Sequence, residues 1–517
     1  MEYMADMLLF RRPFGPLWLY IADPALASQY ITVTQSLPKS PLETGYLDRF
    51  LGVNNLVSLE GAHWKSLRSM FNPGFSAANI MTLADSIVDA SLTFCDILRE
   101  KAETNELFKL EGFATNMTIE IIGKAVLDVE IPAQRATHPI AKYFRERVVM
   151  MPPANAVFPW QGVDLIRPLK LWWNGRLLDN AISVELDRKI QLRAKELEGD
   201  SDGSARGIKK RTVLDLALNA YEKEMSSSSD GSKASGEITR LTNASQLPPS
   251  LKADIVDSVK TFVFAGHDTT SSTICWAFYL LHRYPDVRKK LDAELNTFFP
   301  PGTSAAEKIR QDPYVANRLE YTTAVLRETM RLFPPASTLR APDASTVHKT
   351  IIDPKTKNQY PMMGTHIWPV IHLINRNKRF FPEPTKFIPE RFIQSQTPFP
   401  EAELFTEAGK DAFRPFEKGP RNCIGQELAM LEGRIILALT SREFDFVLEY
   451  PGEEPDPQFP IPESTAEELG EQTEYGRGVR AGTIKPNRIE GHRVFQILSG
   501  SAKPVGNCPG RVRVRKP

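Results

Sequence analysis

The window FEKGPRNCIGQELA, Phe416 to Ala429, sets one of the chain's four cysteines among glycines, a proline and basic residues, just before an apolar helical run. Residue types and spacing leave three roles open for Cys423. A buried structural cysteine is the commonest fate of this residue. A nucleophile would need a base, usually histidine. No histidine lies within 50 residues on either side, although such partners need not be local. The third role is a metal thiolate. Backbone N–H groups at a helix start stabilise a thiolate, and Cys423 immediately precedes the helix that Ile424 and Leu428 begin. Gly419 and Gly425 permit a tight loop and the close approach of a flat ligand. Arg421 adds positive charge nearby.

A single cysteine cannot hold zinc, but it can serve a haem iron, where the porphyrin supplies four ligands. FEKGPRNCIG also resembles the cysteine signature F-x-x-G-x-R-x-C-x-G of the cytochrome P450 family at its fixed positions, Phe416, Gly419, Arg421, Cys423 and Gly425. The resemblance implies that Cys423 is the proximal haem thiolate and iron ligand. It makes Arg421 a propionate partner, Phe416 the ring that shields the sulfur, and Gly425 part of the haem seat.

Other motifs fall in the family's order. ETMR, Glu328 to Arg331, resembles its E-x-x-R. That spacing alone means little, because it recurs at Glu185, Glu237, Glu307, Glu474 and Glu490. Glu328 is selected by its periodic helix and by FPP just after it. FIPERF then supplies Arg391 as third member of a buried cluster, in which one carboxylate takes forked bonds from two guanidiniums. AGHDTT, residues 265 to 270, resembles the oxygen-activation motif. By that resemblance Gly266 leaves room beside the iron, Thr269 holds a hydroxyl near dioxygen, and Asp268 relays protons. A threonine hydroxyl in a helix can also bond to the carbonyl four residues back, here Ala265, and loosen the turn. His267 reads as helix surface or packing. HWKSLRSMFNPGFS resembles the W-x-x-x-R helix, with Trp64 and Arg68 on one face. The resemblance makes both haem-propionate donors, joined by Arg340.

These residues need elements to position them. LWLYIA and YITVT read as strands. SAANIMTLADSIVDASLTFCDILRE has Ser76 as N-cap and Ile80, Leu83, Ile87 and Phe94 near one face. EGFATNMTIEIIGKAV is similar. The longest periodic segment, about Leu251 to Tyr284, is closed by Pro285. A helix of that length, near ~50 Å, crosses a whole domain. Further helices are expected over about 319–333 and 424–440. Hairpin-like material through HIWPVIHLI, then FDFVLEY, RVFQIL and RVRVR, supplies short strands. The fold class is mainly α with a small β component, which the resemblance makes the cytochrome P450 fold. Residues 1–517 read as one domain, with a mobile loop insertion at about 200–250, where Ser/Gly/Asp runs cannot bury a core.

Composition sets limits. With 64 basic against 63 acidic side chains, the chain has no charge excess suited to nucleic acid. Its cysteines form no C-x-x-C pair, which suits a reducing compartment. No run reaches the ~18 apolar residues of a membrane span, and the start lacks a signal-peptide pattern. The family's eukaryotic members usually begin with a membrane helix and a proline-rich hinge, neither of which is seen here. The expected location is the cytoplasmic side, peripheral at the endoplasmic reticulum, with MMPPANAVFPW as a possible contact. A second departure is Asn375 and Phe381, where the family often has His and Trp; those positions brace the core. HWKSLRSMFNPGFS also resembles fungal secondary-metabolism members, such as those acting on aromatic polyketides.

The resemblance therefore implies a haem-dependent monooxygenase that places one atom of dioxygen in a small hydrophobic substrate. Electrons come from NADPH through a separate NADPH-cytochrome P450 reductase, since no strand–GxGxxG–helix unit is found in the chain. The alternatives are a peroxygenase, isomerase or oxidative-coupling enzyme of the same fold, a haem-binding sensor or carrier, and a helical scaffold. Expected pocket segments are Tyr46 to Leu59, Pro152 to Trp160, Thr261 to Gly266 and Ala336 to Leu339.

Overall fold

The computed structural model describes residues 6–11, 15–150, 166–199, 211–228, 241–353, 356–407, 409–448 and 494–515. Strands β1 (Met7–Arg11) and β2 (Leu17–Ile21) pair antiparallel and lead into α1 (Pro24–Leu26). The expected strand YITVT is not one: a π-helical turn, Ala27–Thr32, takes its first half. Its β-branched residues favour a strand locally. Tertiary contacts override this, because the Ser28 and Thr32 hydroxyls accept from the Arg414 guanidinium at 2.7 and 2.5 Å.

Helices then dominate. They are α2 (Pro41–Leu51), α3 (Gly61–Phe71), α4 (Ala77–Met81), α5 (Ala84–Thr104), α6 (Leu110–Leu127, preceded by β3, Phe108–Lys109), α7 (Pro139–Val149) and α8 (Arg167–Gly199). The block expected as one helix from Ser76 breaks between α4 and α5. Ser76 flanks α4 but spends its hydroxyl on Pro73 O rather than on a cap bond. The stretch read as a loop insertion needs correction too. It contains α9 (Val213–Ser228), whose Val213, Leu214, Ala217 and Leu218 are fully buried. Four apolar side chains on one helical face are enough to dock it on the core, against α3. The flanking Ser/Gly runs at 200–210 and 229–240 lie outside the described residues.

α10 (Pro249–Arg283) is the long helix. Pro249 opens it, His282 and Arg283 sit in its last turn, where cations suit the helix dipole, and Pro285 starts α11 (Pro285–Phe298). It is buried on nearly all faces, as a helix through a core must be. α12 (Ala305–Gln311) and α13 (Glu320–Leu332) follow. Next come the hairpin β4 (Thr350–Ile352) and β5 (Gln359–Pro361), strand β6 (Thr365–Pro369) and α14 (Ile371–Ile374). β6 joins β2 in parallel, with Leu17 opposite Thr365, so IHLI is helix rather than hairpin. After the cysteine loop comes α15 (Gln426–Glu443). β7 (Phe444–Leu448), the hairpin β8 (Gln496–Ser499) and β9 (Ser501–Pro504), and β10 (Pro509–Val514) end the chain. β10 lies between β3 and β7, antiparallel to both. The main core gathers side chains from α2 through β10 around α10.

Candidate active site

Cys423 lies just ahead of α15, whose N-cap is Gly425. Its loop is closed by Cys423 N–H donating to Phe416 O at 2.9 Å and Asn422 N–H to Gly419 O at 3.1 Å. Gly419 makes that loop possible. Its φ is +83°, and a Cβ there would stand 2.1 Å from Thr32 O. Arg414, fully buried, ties the same loop to the π-turn through Ser28 and Thr32 and pairs with Glu417. Cys423 is the one cysteine with an accessible side chain; Cys95, Cys275 and Cys508 are buried. Burial pushes the Cys95 thiol up to about 12. Desolvation raises the Cys423 pKa, while the Gly425 N–H and the Arg68 charge act the other way.

α10 is open at its middle. The helix is buried before and after, yet Ala265 is exposed and Gly266 and Thr269 are half-exposed. The expected loosened turn is present: Thr269 Oγ1 donates to Ala265 O at 2.7 Å. Thr269 and Phe416 line one cavity with Thr273, Met330, Pro335 and Met430. An open groove on α8, lined by Trp173, Arg176 and Asp179, contains none of the expected site residues. Two expectations change. The space left by the missing Cβ of Gly266 is taken by Ile122 of α6, 2.9 Å away, so this glycine serves helix packing rather than room beside an iron. Asp268 is buried and faces β9, where Ser501 and Lys503 hold it. His267 is buried; its Nδ1 meets Val263 O, its ring packs beside Phe144 and Phe264, and burial lowers its pKa.

Basic residues gather by the cysteine loop. Trp64 and Arg68 lie on α3, as expected. Arg68 donates to the backbone and side-chain oxygens of Asn422 at 3.1 and 3.3 Å, holding the residue before Cys423. The Arg421 guanidinium lies 3.9 Å from the centre of the Trp64 ring, donates to Leu59 O at 2.6 Å and pairs with Glu60. Arg340 is fully buried. One nitrogen donates to Leu37 O at 2.9 Å, but Nε and Nη2 have no partner. Leaving buried donors unpaired costs about 1–3 kcal/mol, more for a charged group, so an anionic acceptor belongs beside them. Lys39, its pKa lowered by burial and by Arg340 and Arg421, adds to the positive field. An accessible sulfur, a space bordered by small residues of α10 and an unsatisfied guanidinium fit a flat cofactor with carboxylate tails.

The predicted core cluster forms in full. Glu328 and Arg331 are completely buried and make a fork, with Nε–Oε2 at 2.7 Å and Nη2–Oε1 at 2.8 Å. Arg391 Nε reaches Oε1 at 3.0 Å. The guanidiniums also donate to the carbonyls of Asn375, Pro384, Lys386 and Pro382. Asn375 and Phe381 are both fully buried here, Phe381 under the Arg331 guanidinium. The cluster therefore braces the segment leading to the cysteine loop. Sequence reading missed Arg414, Glu60, Glu111 and Lys503. Each acts on a residue far away in sequence, and no local spacing marks it.

Comparison with known proteins agrees with this geometry. The cytochrome P450 family profile matches residues 39–466. The chain is 34% identical to cytochrome P450 monooxygenase acrF of Aspergillus aculeatus, over 95% of this chain and 90% of that one. It is 32% identical to cytochrome P450 monooxygenase polC of Polytolypa hystricis, over 97% and 80%. Cytochrome P450 4V2 of Homo sapiens is 30% identical over 86% and 77%. Among solved structures, the cytochrome P450 CYP102L1 superposes with a TM-score of 0.66 at 16% identity, over 99% of this chain and 96% of that one, which shows a shared fold. The chain belongs to the cytochrome P450 family.

Proposed function

We propose that this chain is a haem-thiolate monooxygenase that inserts one atom of dioxygen into a hydrophobic organic substrate. The observation that carries the reading is Cys423: an accessible sulfur at the start of α15, bonded by the Gly425 N–H, on the loop whose Phe416 lines a cavity with Thr269. Cys423 would hold the iron, and Arg340, Arg421 and Arg68 with Trp64 would hold the propionates. When bound, a thiolate-held haem supplies the electron density that favours O–O cleavage. The chain's own residues do the rest. Arg68 fixes Asn422 and thereby the sulfur's position. Phe416, whose carbonyl accepts from the Cys423 N–H, would cover the thiolate side. Ile274 of α10 and Leu326 and Met330 of α13 give the cavity an apolar wall, against which polar interactions are stronger than in water. Thr269 offers a hydroxyl proton at Oγ1 on the open face of α10.

Electrons would come from NADPH through a separate reductase. The finer reading is a fungal secondary-metabolite enzyme acting on a polyketide-like substrate, at the cytoplasmic side of the endoplasmic reticulum. No helix among the described residues is long and apolar enough to cross a membrane, and Pro152 to Trp160 lie outside them. The deciding experiment is the absorption spectrum of the reduced protein under carbon monoxide. A Soret band red-shifted by thiolate ligation is expected in the parent and in variants of Cys95, Cys275 or Cys508. Persistence of the band in Cys423→Ala would end the proposal.

A further inference from the structure

Glu60 stands where α3 begins, as its N-cap residue, but its carboxylate makes no cap bond. It reaches two other segments instead. Oε1 accepts from the Lys39 N–H at 2.9 Å, and Oε2 pairs with Arg421 Nη2, which also donates to Leu59 O at 2.6 Å. The two partners are unequal: the Arg421 side chain keeps 7% exposure and that of Glu60 keeps 42%. Among the described residues, Nη2 is the one Arg421 nitrogen with a hydrogen bond, so Nε and Nη1 remain for a ligand. Burial lowers the Arg421 pKa, Glu60 raises it, and Arg340 and Arg68 lower it again. A second carboxylate, Glu43 in the first turn of α2, takes Lys39 Nζ at 2.9 Å, Thr338 Oγ1 at 3.2 Å and the Leu339 N–H at 2.6 Å. Glu417 is committed to Arg414. Among the described residues, the rim beside the cysteine loop therefore sets four cations, Lys39, Arg68, Arg340 and Arg421, against the two carboxylates Glu43 and Glu60. Two positive charges are left over, the number that the two carboxylate tails of a haem would cancel. Buried charges left unpaired are costly, so the count favours a rim completed by its ligand.

We propose that Glu60 is a resident counter-ion of the haem site, sharing the Arg421 guanidinium with a haem carboxylate and so setting how tightly haem is held and how readily its iron is reduced. The inference rests on the haem-thiolate reading. A guanidinium bonded to two carboxylates divides its charge between them. The protein's carboxylate weakens the hold on the ligand's, and its own negative charge favours the oxidised, more positive iron. Water at the half-exposed side of Glu60 screens the effect and keeps it partial. Glu60 is thus a positioning residue that acts through Arg421. The rival role is a brace, since Glu60 also ties Lys39 to the cysteine loop. The two roles predict opposite signs.

The test uses the haem-loaded protein and needs no organic substrate. Glu60→Gln keeps an oxygen for the Lys39 N–H and removes the charge. Haem transfer from this variant to an excess of a haem-free globin should be slower than from the parent by roughly three- to tenfold, the scale of one partly screened charge. At the parent's midpoint potential, the ratio of reduced to oxidised iron should rise by a similar factor. In an Arg421→Gln background both effects should disappear, because the guanidinium that carries them is gone. A brace predicts faster haem transfer and an unmoved ratio. The haem-free protein gives a second reading. Neutral Glu60 leaves one more uncompensated cation in the rim, so the melting temperature should fall, while the gain on adding haem grows. Haem transfer at or above the parent rate, an unmoved ratio of reduced to oxidised iron, or a full effect of Glu60→Gln in the Arg421→Gln background overturns the proposal. If Arg421→Gln retains no haem, the direction of the change in the single variant decides. A parent that takes up haem but lacks the thiolate band fails the monooxygenase reading instead, and haem transfer still decides the role of Glu60.

Discussion

At the scale of single residues, Thr269 has an asymmetric expected effect. Its hydroxyl is committed to Ala265 O but stands at the accessible face of α10. Thr269→Ala should fold, keep haem and accept electrons, while product per NADPH falls and peroxide rises. Unchanged product yield per NADPH would remove Thr269 from the relay. Two buried titratable residues give stability opposite slopes with pH. Glu432 of α15 is raised by burial to about 8 from 4.5, with Thr270 as its hydroxyl partner. The folded chain therefore keeps a proton that the unfolded chain loses, and this contribution declines as pH rises from 4.5 through 8. His372 is lowered to about 3 from 6.5 by burial and by Arg376 and Arg331. Its contribution is present above 6.5 and is lost as pH falls toward 3. Each slope is at most about 1.4 kcal/mol per pH unit, and they oppose each other between 4.5 and 6.5. Urea midpoints of Glu432→Gln should pull ahead of the parent as pH goes from 5 to 8. Those of His372→Gln should differ from the parent only on the acid side. Parallel pH curves for parent and variants would refute both assignments.

At the scale of elements, α13 and the loop after α14 act through one carboxylate. Glu328 is the shared acceptor of Arg331, Arg391 and the Ile388 N–H. Removing it strands two buried guanidiniums, at a cost of roughly 3–5 kcal/mol. Glu328→Ala is expected to give haem-poor protein with a lowered melting temperature; full haem content and unchanged melting would show the cluster to be dispensable. The cysteine loop has a steric weak point instead. Gly419→Ala meets Thr32 O and adds the left-handed penalty of about 1–2 kcal/mol. It should lower haem occupancy while leaving the helical circular-dichroism signal intact. The Glu328 motif was legible only through its context, since five other E-x-x-R spacings lie in the same chain. The strand reading of YITVT failed for the converse reason: propensity is local, and Arg414 reaches that turn from nearly four hundred residues away.

At the scale of the whole molecule, the basic rim is incomplete without its ligand. Arg340 is held by β6 and the segment before α2, and two of its donors are unsatisfied in the buried interior. Arg340→Met should therefore stabilise the haem-free protein by about 1–3 kcal/mol. The same change should weaken haem retention, so the melting-point gain on adding haem should shrink. A variant that loses stability in the haem-free form, or retains haem as the parent does, would show that Arg340 is paired in some other way.

The sequence by itself marked Cys423 as the candidate iron ligand and determined the mainly helical class and the long central helix. Cys423, its glycines and the Thr269 turn lie within short windows, where spacing along a loop or helix already fixes which groups are neighbours. The Glu328 cluster was legible for the same reason on one side, since Glu328 and Arg331 share a helical face. Tertiary structure decided which way each of these side chains faces. Gly266 receives Ile122 of α6, Asp268 turns to Lys503 of β9, and Arg421 stacks on Trp64 of α3. The stretch around 213–228 becomes a packed helix because α3 offers it an apolar surface. Such partners are more than a hundred residues apart, and only chain folding brings their charges and volumes within contact distance.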